Sequence, residues 1–355
     1  MSIKLDFTNV PTSFVGPIYF KEMNNLNEKI TSIESEVPLA TYETTLFHSV
    51  QRGARLTRLA KTLKTSIISN GMTRSVLFQS ENTSELLKLG KFLKENISFF
   101  QKNIVSKNSR YTILIDINFK IDSNLIYIRF KFTTGEASGH NMSTFASDQI
   151  SSYILKKFKH LKYISVSGNY CTDKKVSAVN SILGRGKELL AEIFLSRELV
   201  KKILRTTPEK LVELNIKKNL IGSIISGSTM SANAHYANML LAFYIATGQD
   251  GANIVEGSQG ITHCEVINDE LYFSVNIPNV IVGTIGHGKE GSSAYDTLKK
   301  INCLGTGSSE KLAHLAAATV LCGELSLLAA LTNQNELTTS HKRIERINKW
   351  TLASI

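Results

Sequence analysis

Two stretches, YTILIDINFK at 111–120 and LIYIRFKFTT at 125–134, decide how the rest of the chain is read. In each, apolar and polar residues alternate with a period of two, the pattern of a strand with one face buried. Working outward, a short apolar strand at 75–78 precedes a helical stretch at 81–99, a second helix follows at about 143–160, and the run 163–166 closes the series. The order β-α-β-β-α-β is that of a split-βαβ, or ferredoxin-like, unit. It predicts a small inserted domain over 76–165. Residues 1–75 are too short and too rich in loops to build a core alone. The flanks 1–75 and 166–355 are therefore expected to form one large discontinuous domain around a buried central helix, giving an α+β class.

The 355 residues suffice for about two domains. With 42% hydrophobic and 20% charged residues, and only 5 prolines beside 22 glycines, disordered, collagenous and coiled-coil chains are excluded. The 41 basic and 30 acidic residues leave a net charge of +11, which favours contact with a polyanion, nucleotides included. The basic residues form no arm, and no zinc-finger, basic-zipper or RNP-type pattern occurs, so no nucleic-acid partner is expected. Cys171, Cys264, Cys303 and Cys322 form no CxxC pair, which suits a reducing cytoplasm and gives no metal signal. The opening MSIKLDFTNVPTSF lacks the apolar run of a signal peptide. The stretch LAHLAAATVLCGELSLLAAL at 312–331 approaches the length of a membrane span, but His314, Gly323 and Glu324 interrupt it. It reads as a buried helix of a protein without a membrane partner, in which Glu324 needs a polar partner.

From Ala234 to Thr247 the chain is apolar around nearly the whole helical circumference, as for a helix buried on all sides. His235 and Asn238 break the pattern at i and i+3, on one face. They read either as satisfied core polar groups or as part of a site. Asp250 follows at the helix C-terminus, where the dipole disfavours an anion, so a cationic partner is expected. The loop VSGNYCTDKKVSAVNSILGRGK at 166–187 supplies candidates in Lys174 and Lys175. A DKK triplet is commonly a solvated turn; in a site it would stabilise a developing oxyanion.

Many segments, in order along nearly the whole chain, resemble the hydroxymethylglutaryl-coenzyme A (HMG-CoA) reductase family: PLATYETTLFHSVQRG at 38–53, GMTR at 71–74, SRY at 109–111, SGNYCTDKK at 167–175, NLIGSIISGS at 219–228, NAHYANMLLAFYIATGQD at 233–250, LYFSVNIPNVIVGTIGHG at 271–288, CGELSL at 322–327 and SH at 340–341. The SGNYCTDKK loop is similar to the eukaryotic and archaeal class. The resemblance implies an NADPH-dependent, four-electron reduction of HMG-CoA to mevalonate and free CoA. It implies catalytic roles for Lys174, for Asp250 as its buried and coupled partner, for Glu43 as a proton source near the carbonyl, and for His341 in protonating the departing thiolate, since imidazole exchanges its proton near neutral pH. Arg74, Ser167, Asp173, Lys175, Lys218, His235 and Asn238 match residues around the hydroxymethylglutaryl group. Ser49, Gln51, Arg52, Arg55 and Arg205 fall where the family binds CoA, and arginine suits phosphate.

For NADPH, the resemblance implies Ser109, Arg110, Tyr111 and Arg346 around the ribose phosphate, with the loops Glu136, Ser138, Gly139, His140, Asn141 and Gly283, Gly286 beside the cofactor. Neither loop has the GxGxxG spacing of a Rossmann fingerprint. Several positions depart from the family pattern: Glu136 replaces an aspartate, Ser138 and His140 replace methionines, and His287 replaces a glycine. These changes leave open a related reductase acting on another acyl-CoA or carrier-bound thioester. The family's sites lie between subunits, so a homodimer or larger homo-oligomer is expected.

Overall fold

The computed structural model describes residues 8–23, 30–286 and 291–352, the side chains of 345–352 excepted. It is a mixed α/β structure with one open mixed sheet. Ten strands occur among the described residues: β1 (Thr12–Met23), β2 (Ile30–Ala40), β3 (Lys64–Ser80), β4 (Ile113–Asp122), β5 (Leu125–Thr133), β6 (Leu161–Ser165), β7 (Gly186–Ser196), β8 (Ser231–Ala232), β9 (Gly260–Ile267) and β10 (Glu270–Val280). Six principal helices accompany them: α1 (Thr45–Ala60), α2 (Thr83–Glu95), α3 (His140–Lys157), α4 (Tyr236–Ala246), α5 (Ser308–Leu331) and α6 (Glu336–Leu352).

The main path of the sheet runs β2-β1-β3-β7-β10-β9-β8. Strand β3 joins two regions. Its first part, Lys64–Gly71, pairs antiparallel with β7, while Met72–Ser80 pairs with β5 and then β6. With β4 beside β5, this gives the local order β4-β5-β3-β6, all antiparallel. The position 75/76 falls inside this continuous strand.

The two quoted stretches form β4 and β5, although Tyr111 and Thr112 precede the strand. Alternation there buries Ile126, Ile128, Phe130 and Phe132 in a small apolar cluster with Leu86, Leu89 and Leu93 of α2 and Ile150 and Ile154 of α3. The expected helix at 81–99 divides into α2 and a short turn at Ile97–Phe100, followed by the wider turns Gln101–Val105. Helix α3 starts three residues earlier than the sequence predicts, because Gly139 at φ 91° turns the chain into it.

The larger core surrounds α5, which packs on α1, α4, β7 and β10. By length and composition α5 could cross a membrane, yet nearly all of it is buried inside the protein. Gly53 of α1 approaches Cys322 so closely that a Cβ would stand 2.4 Å from its carbonyl oxygen. Glu324, fully buried, accepts hydrogen bonds from the Ala234 N–H at 2.6 Å, the His235 N–H at 3.0 Å and the Thr262 hydroxyl at 2.9 Å. Its required partners are thus the start of α4 and strand β9. Helix α4 itself is not buried on all sides: Leu241 and Ile245 lie 39% and 42% exposed on its outer face. Apolarity around the circumference did not distinguish a core helix from one with a partly exposed apolar face.

Candidate active site

The loop between β6 and β7 carries Asn169, Thr172 and Lys174 with φ of 59°, 45° and 55°, left-handed conformations that side chains larger than glycine rarely adopt. Buried groups hold it in that shape. Cys171 is fully buried, and the Asn180 side-chain amide donates to the Thr172 carbonyl at 2.9 Å. Arg185, wholly buried, donates to Asp173 Oδ1 at 2.7 Å and to the Thr73 hydroxyl at 3.1 Å, and lies 3.5 Å from Glu256 Oε1. Arg185 and Glu256 carry the loop's electrostatics, and nothing in the sequence patterning marks either of them. The only signal was their place: Arg185 ends the loop that holds the lysines.

Lys174 Nζ stands 2.7 Å from Asp250 Oδ2. Its bond to that carboxylate raises the ammonium pKa. Burial alone would raise Asp250, but the Lys174 bond and the Ala252 N–H outweigh it and hold the carboxyl below its usual range. The two side chains are 41% and 37% exposed, so the pair is coupled but, within one chain, not buried as the resemblance implied. Nor does Asp250 face a helix C-terminus. Helix α4 ends at Ala246, and Asp250 caps the following turn, accepting from the Ala252 N–H at 3.1 Å. An anion is favoured there.

Asp173 also has Arg74 at 4.0 Å and His140 at 3.8 Å. Burial would raise its carboxyl, but Arg185, with His140 and Arg74, keeps it below the ordinary value. Burial, assisted by Arg185, pushes the His140 imidazole down to about 4. Lys175 and Ser167 are exposed on the same loop.

A second group gathers in a cleft of about 400 Å³ between α1, α5 and α6, lined by Glu43, Ser49, Arg52, His235, Asn238 and His341. Asn238 donates to Glu43 Oε2 at 3.1 Å, and the His235 ring meets the Gly323 carbonyl at 3.0 Å. His235 precedes α4 at its N-cap, so the sequence's i, i+3 helical pair is a cap and a first-turn residue. Arg52 is held by Glu336 at 2.9 Å and by Ser326 Oγ at 3.0 Å.

Other expected residues lie apart. Gln51 bonds both ways to the Gly16 backbone, at 2.8 and 3.0 Å, a structural tie that leaves its amide engaged. Lys218 donates to Asn219 at 3.1 Å. Arg55 and Arg205 are exposed. Ser109 meets Thr112 at 2.9 Å and, with Asn141, lines a groove of about 290 Å³, beside which Arg110 and Tyr111 are exposed. Gly283 packs against the loop ahead of α3, where a Cβ would stand 2.3 Å from Ser138 N. Gly286, at φ 80°, borders open space. His287 lies outside the described residues, and the Arg346 side chain is likewise not described.

Two groups of polar and charged residues thus stand out, the Lys174–Asp250 pair and the cleft of Glu43 and His341. A family model described as hydroxymethylglutaryl-coenzyme A reductase matches residues 7–346, and the chain belongs to that family of oxidoreductases. It is 39% identical over 343 residues to a protein of Pyrococcus abyssi named 3-hydroxy-3-methylglutaryl-coenzyme A reductase, covering 95% of this chain and 82% of that one. A Methanocaldococcus jannaschii protein of the same name is 39% identical over 342 residues, with the same coverage. Among solved structures, the chain is similar to a 3-hydroxy-3-methylglutaryl-coenzyme A reductase from Streptococcus pneumoniae, with a TM-score of 0.70 at 16% identity, covering 92% of this chain and 76% of that one. A class II enzyme of the same organism, described as bound to NADPH in open conformations, matches with a TM-score of 0.70 at 16% identity, over 93% of this chain and 77% of that one. At such identity these two likenesses concern the fold alone.

Proposed function

We propose that the protein reduces HMG-CoA to mevalonate and free CoA, consuming two NADPH and two protons. Bound NADPH supplies the hydrides. Each hydride addition would place negative charge on a carbonyl oxygen, and the Lys174 ammonium, oriented by Asp250, meets that charge. Collapse of the hemithioacetal breaks the carbon–sulfur bond, and His341 gives a proton to the departing thiolate. Glu43 supplies a proton at the carbonyl oxygen. Arg74, Ser167, Asp173, Lys175, Lys218, His235 and Asn238 make up the surroundings of the hydroxymethylglutaryl group, whose free carboxylate needs cationic donors. Ser49, Arg52, Arg55 and Arg205 serve CoA.

The residues fit the cofactor. Arg110 is exposed and holds no ion pair among the described residues, and it adjoins the groove of Ser109 and Asn141. Such a guanidinium suits the ribose phosphate that separates NADPH from NADH. The order β4-β5-β3-β6 with α2 and α3 supports assigning this region, about 76–165, as an inserted ferredoxin-like domain that carries the cofactor.

We read the working unit as at least a homodimer. Asn238, which meets Glu43, lies in the first turn of α4, and Asp250, which meets Lys174, follows the end of that helix. Among the described residues no hydrogen bond or ion pair joins the Lys174–Asp250 pair to Glu43, and Leu241 and Ile245 of α4 are partly exposed. A second copy would cover that face and bring its own half of the site. Exposed Ile224 and Ile225, at 77% and 80%, add to the apolar surface available for it. The four unpaired, buried cysteines accord with a reducing cytoplasm.

The observation that carries the reading is the Lys174–Asp250 pair at 2.7 Å on a loop shaped by buried Arg185 and Glu256. Loss of NADPH absorbance on adding HMG-CoA tests it. Reaction only with thioesters that lack the free carboxylate would assign another substrate.

A further inference from the structure

Between β5 and α3 the chain runs through Gly135–Gly139, and this short loop is fastened to the larger core at several points. The Thr284 N–H donates to the Glu136 carbonyl at 2.8 Å, and Ala137 bridges Ile285. The Ser309 hydroxyl donates to the Gly135 carbonyl at 3.3 Å. Most directed of all is the Glu136 side chain: one carboxylate oxygen accepts from the Gly307 N–H at 2.6 Å and the other from the Ser309 N–H at 2.7 Å. Both oxygens are thus spent on the N-terminus of α5, the long buried helix of the other core. Charge-assisted bonds to free N–H groups at a helix start are among the stronger polar contacts. Among the described residues the start of α5 has no other side-chain cap, since Gly307 stands at the capping position.

What this anchor holds is the approach to α3. Ser138 and His140 follow within four residues, and His140 opens α3 with its ring 3.8 Å from Asp173 Oδ1, beside Lys174 and Asp250. Gly283, without a side chain, lets the two loops meet. Beneath them the Lys187 ammonium, 3.5 Å from the Val282 carbonyl, is buried within reach of the Glu136 and Glu310 charges.

We propose that Glu136 is a positioning residue: by capping α5 it locks loop 135–139 onto the larger core and sets where Ser138 and His140 stand toward the nicotinamide cofactor, without touching the reacting atoms. This deepens the proposed function and rests on it for the cofactor's identity.

The test compares full-length wild type with Glu136→Gln, which keeps the length and loses the charge, and Glu136→Ala, which loses the cap. KM for NADPH is expected to rise about tenfold in Glu136→Ala, the factor that a helix cap of ordinary strength corresponds to, and less in Glu136→Gln. KM for HMG-CoA is expected to stay within about twofold, a split that general loosening of the fold would not produce. Hydrogen exchange, read without substrate, should show the amides of Ser309 and residues 137–140 losing protection together. Equal changes in both KM values, or unchanged protection of 137–140 once the Ser309 amide is released, would overturn the proposal. Inactive wild type with the exchange pattern intact would instead count against the reductase reading while leaving the anchor standing.

Discussion

Lys174 sits at φ 55°, and Asp250 holds its ammonium at 2.7 Å. The proposal makes its ammonium the counter-charge for the reacting oxygen, so Lys174→Ala should lower turnover by about 10²-fold or more while leaving the fold intact. Steady-state NADPH oxidation and circular dichroism check this together. The pair's titration gives a second outcome. The folded pKa of Lys174 lies above its ordinary 10.5, so its contribution is complete below that value and is lost as pH climbs through the raised one. The folded pKa of Asp250 lies below 3.8, so its contribution holds above that value and is lost as pH falls through the lowered one. The stability difference between wild type and Asp250→Asn should therefore be flat between about pH 5 and pH 9 in denaturant titrations. A slope inside that window would mean the pair is not charged throughout. At this scale the residues themselves pointed to Asp250 and to Lys174 as its candidate partner, while Glu43 and His341 emerged only through resemblance. Arg185 and Glu256 stayed hidden because a buried ion pair assembled from distant segments leaves no local pattern.

Among the elements, alternation identified β4 and β5 because half-buried strands must alternate. Composition alone left α4 and α5 looking alike, since an apolar helix face covered by the same chain and one left exposed read identically. Glycine spacing was also silent about Gly53, whose role appears only when α1 meets α5. Its missing Cβ permits an approach that any side chain would block at 2.4 Å from the Cys322 carbonyl. Gly53→Ala is expected to force the helices apart and cost about 1–3 kcal/mol. A shift of the urea midpoint to lower concentration, with unchanged slope, is the expected reading. Because α1 and α5 both wall the cleft of Glu43 and His341, activity should fall in the same variant.

For the whole molecule, two apolar cores share strand β3, and the proposed function would set the cofactor and thioester contacts on different cores. The proposed chemistry needs Lys174 and Glu43 in one site, and a second copy could supply one of them. If each site takes Lys174 from one copy and Glu43 from the other, mixing inactive Lys174→Ala with inactive Glu43→Gln and allowing exchange should restore about a quarter of wild-type activity, since half the dimers are mixed and each regains one site. No recovery would place both groups in one chain's site. The most direct measurement of the central claim is a count: NADPH oxidised per HMG-CoA consumed by wild-type protein, with CoA thiol and mevalonate quantified in the same sample. Two NADPH, one thiol and one mevalonate per thioester is the predicted result. Thioester loss without NADPH oxidation, or no loss at all by correctly folded protein, would contradict it.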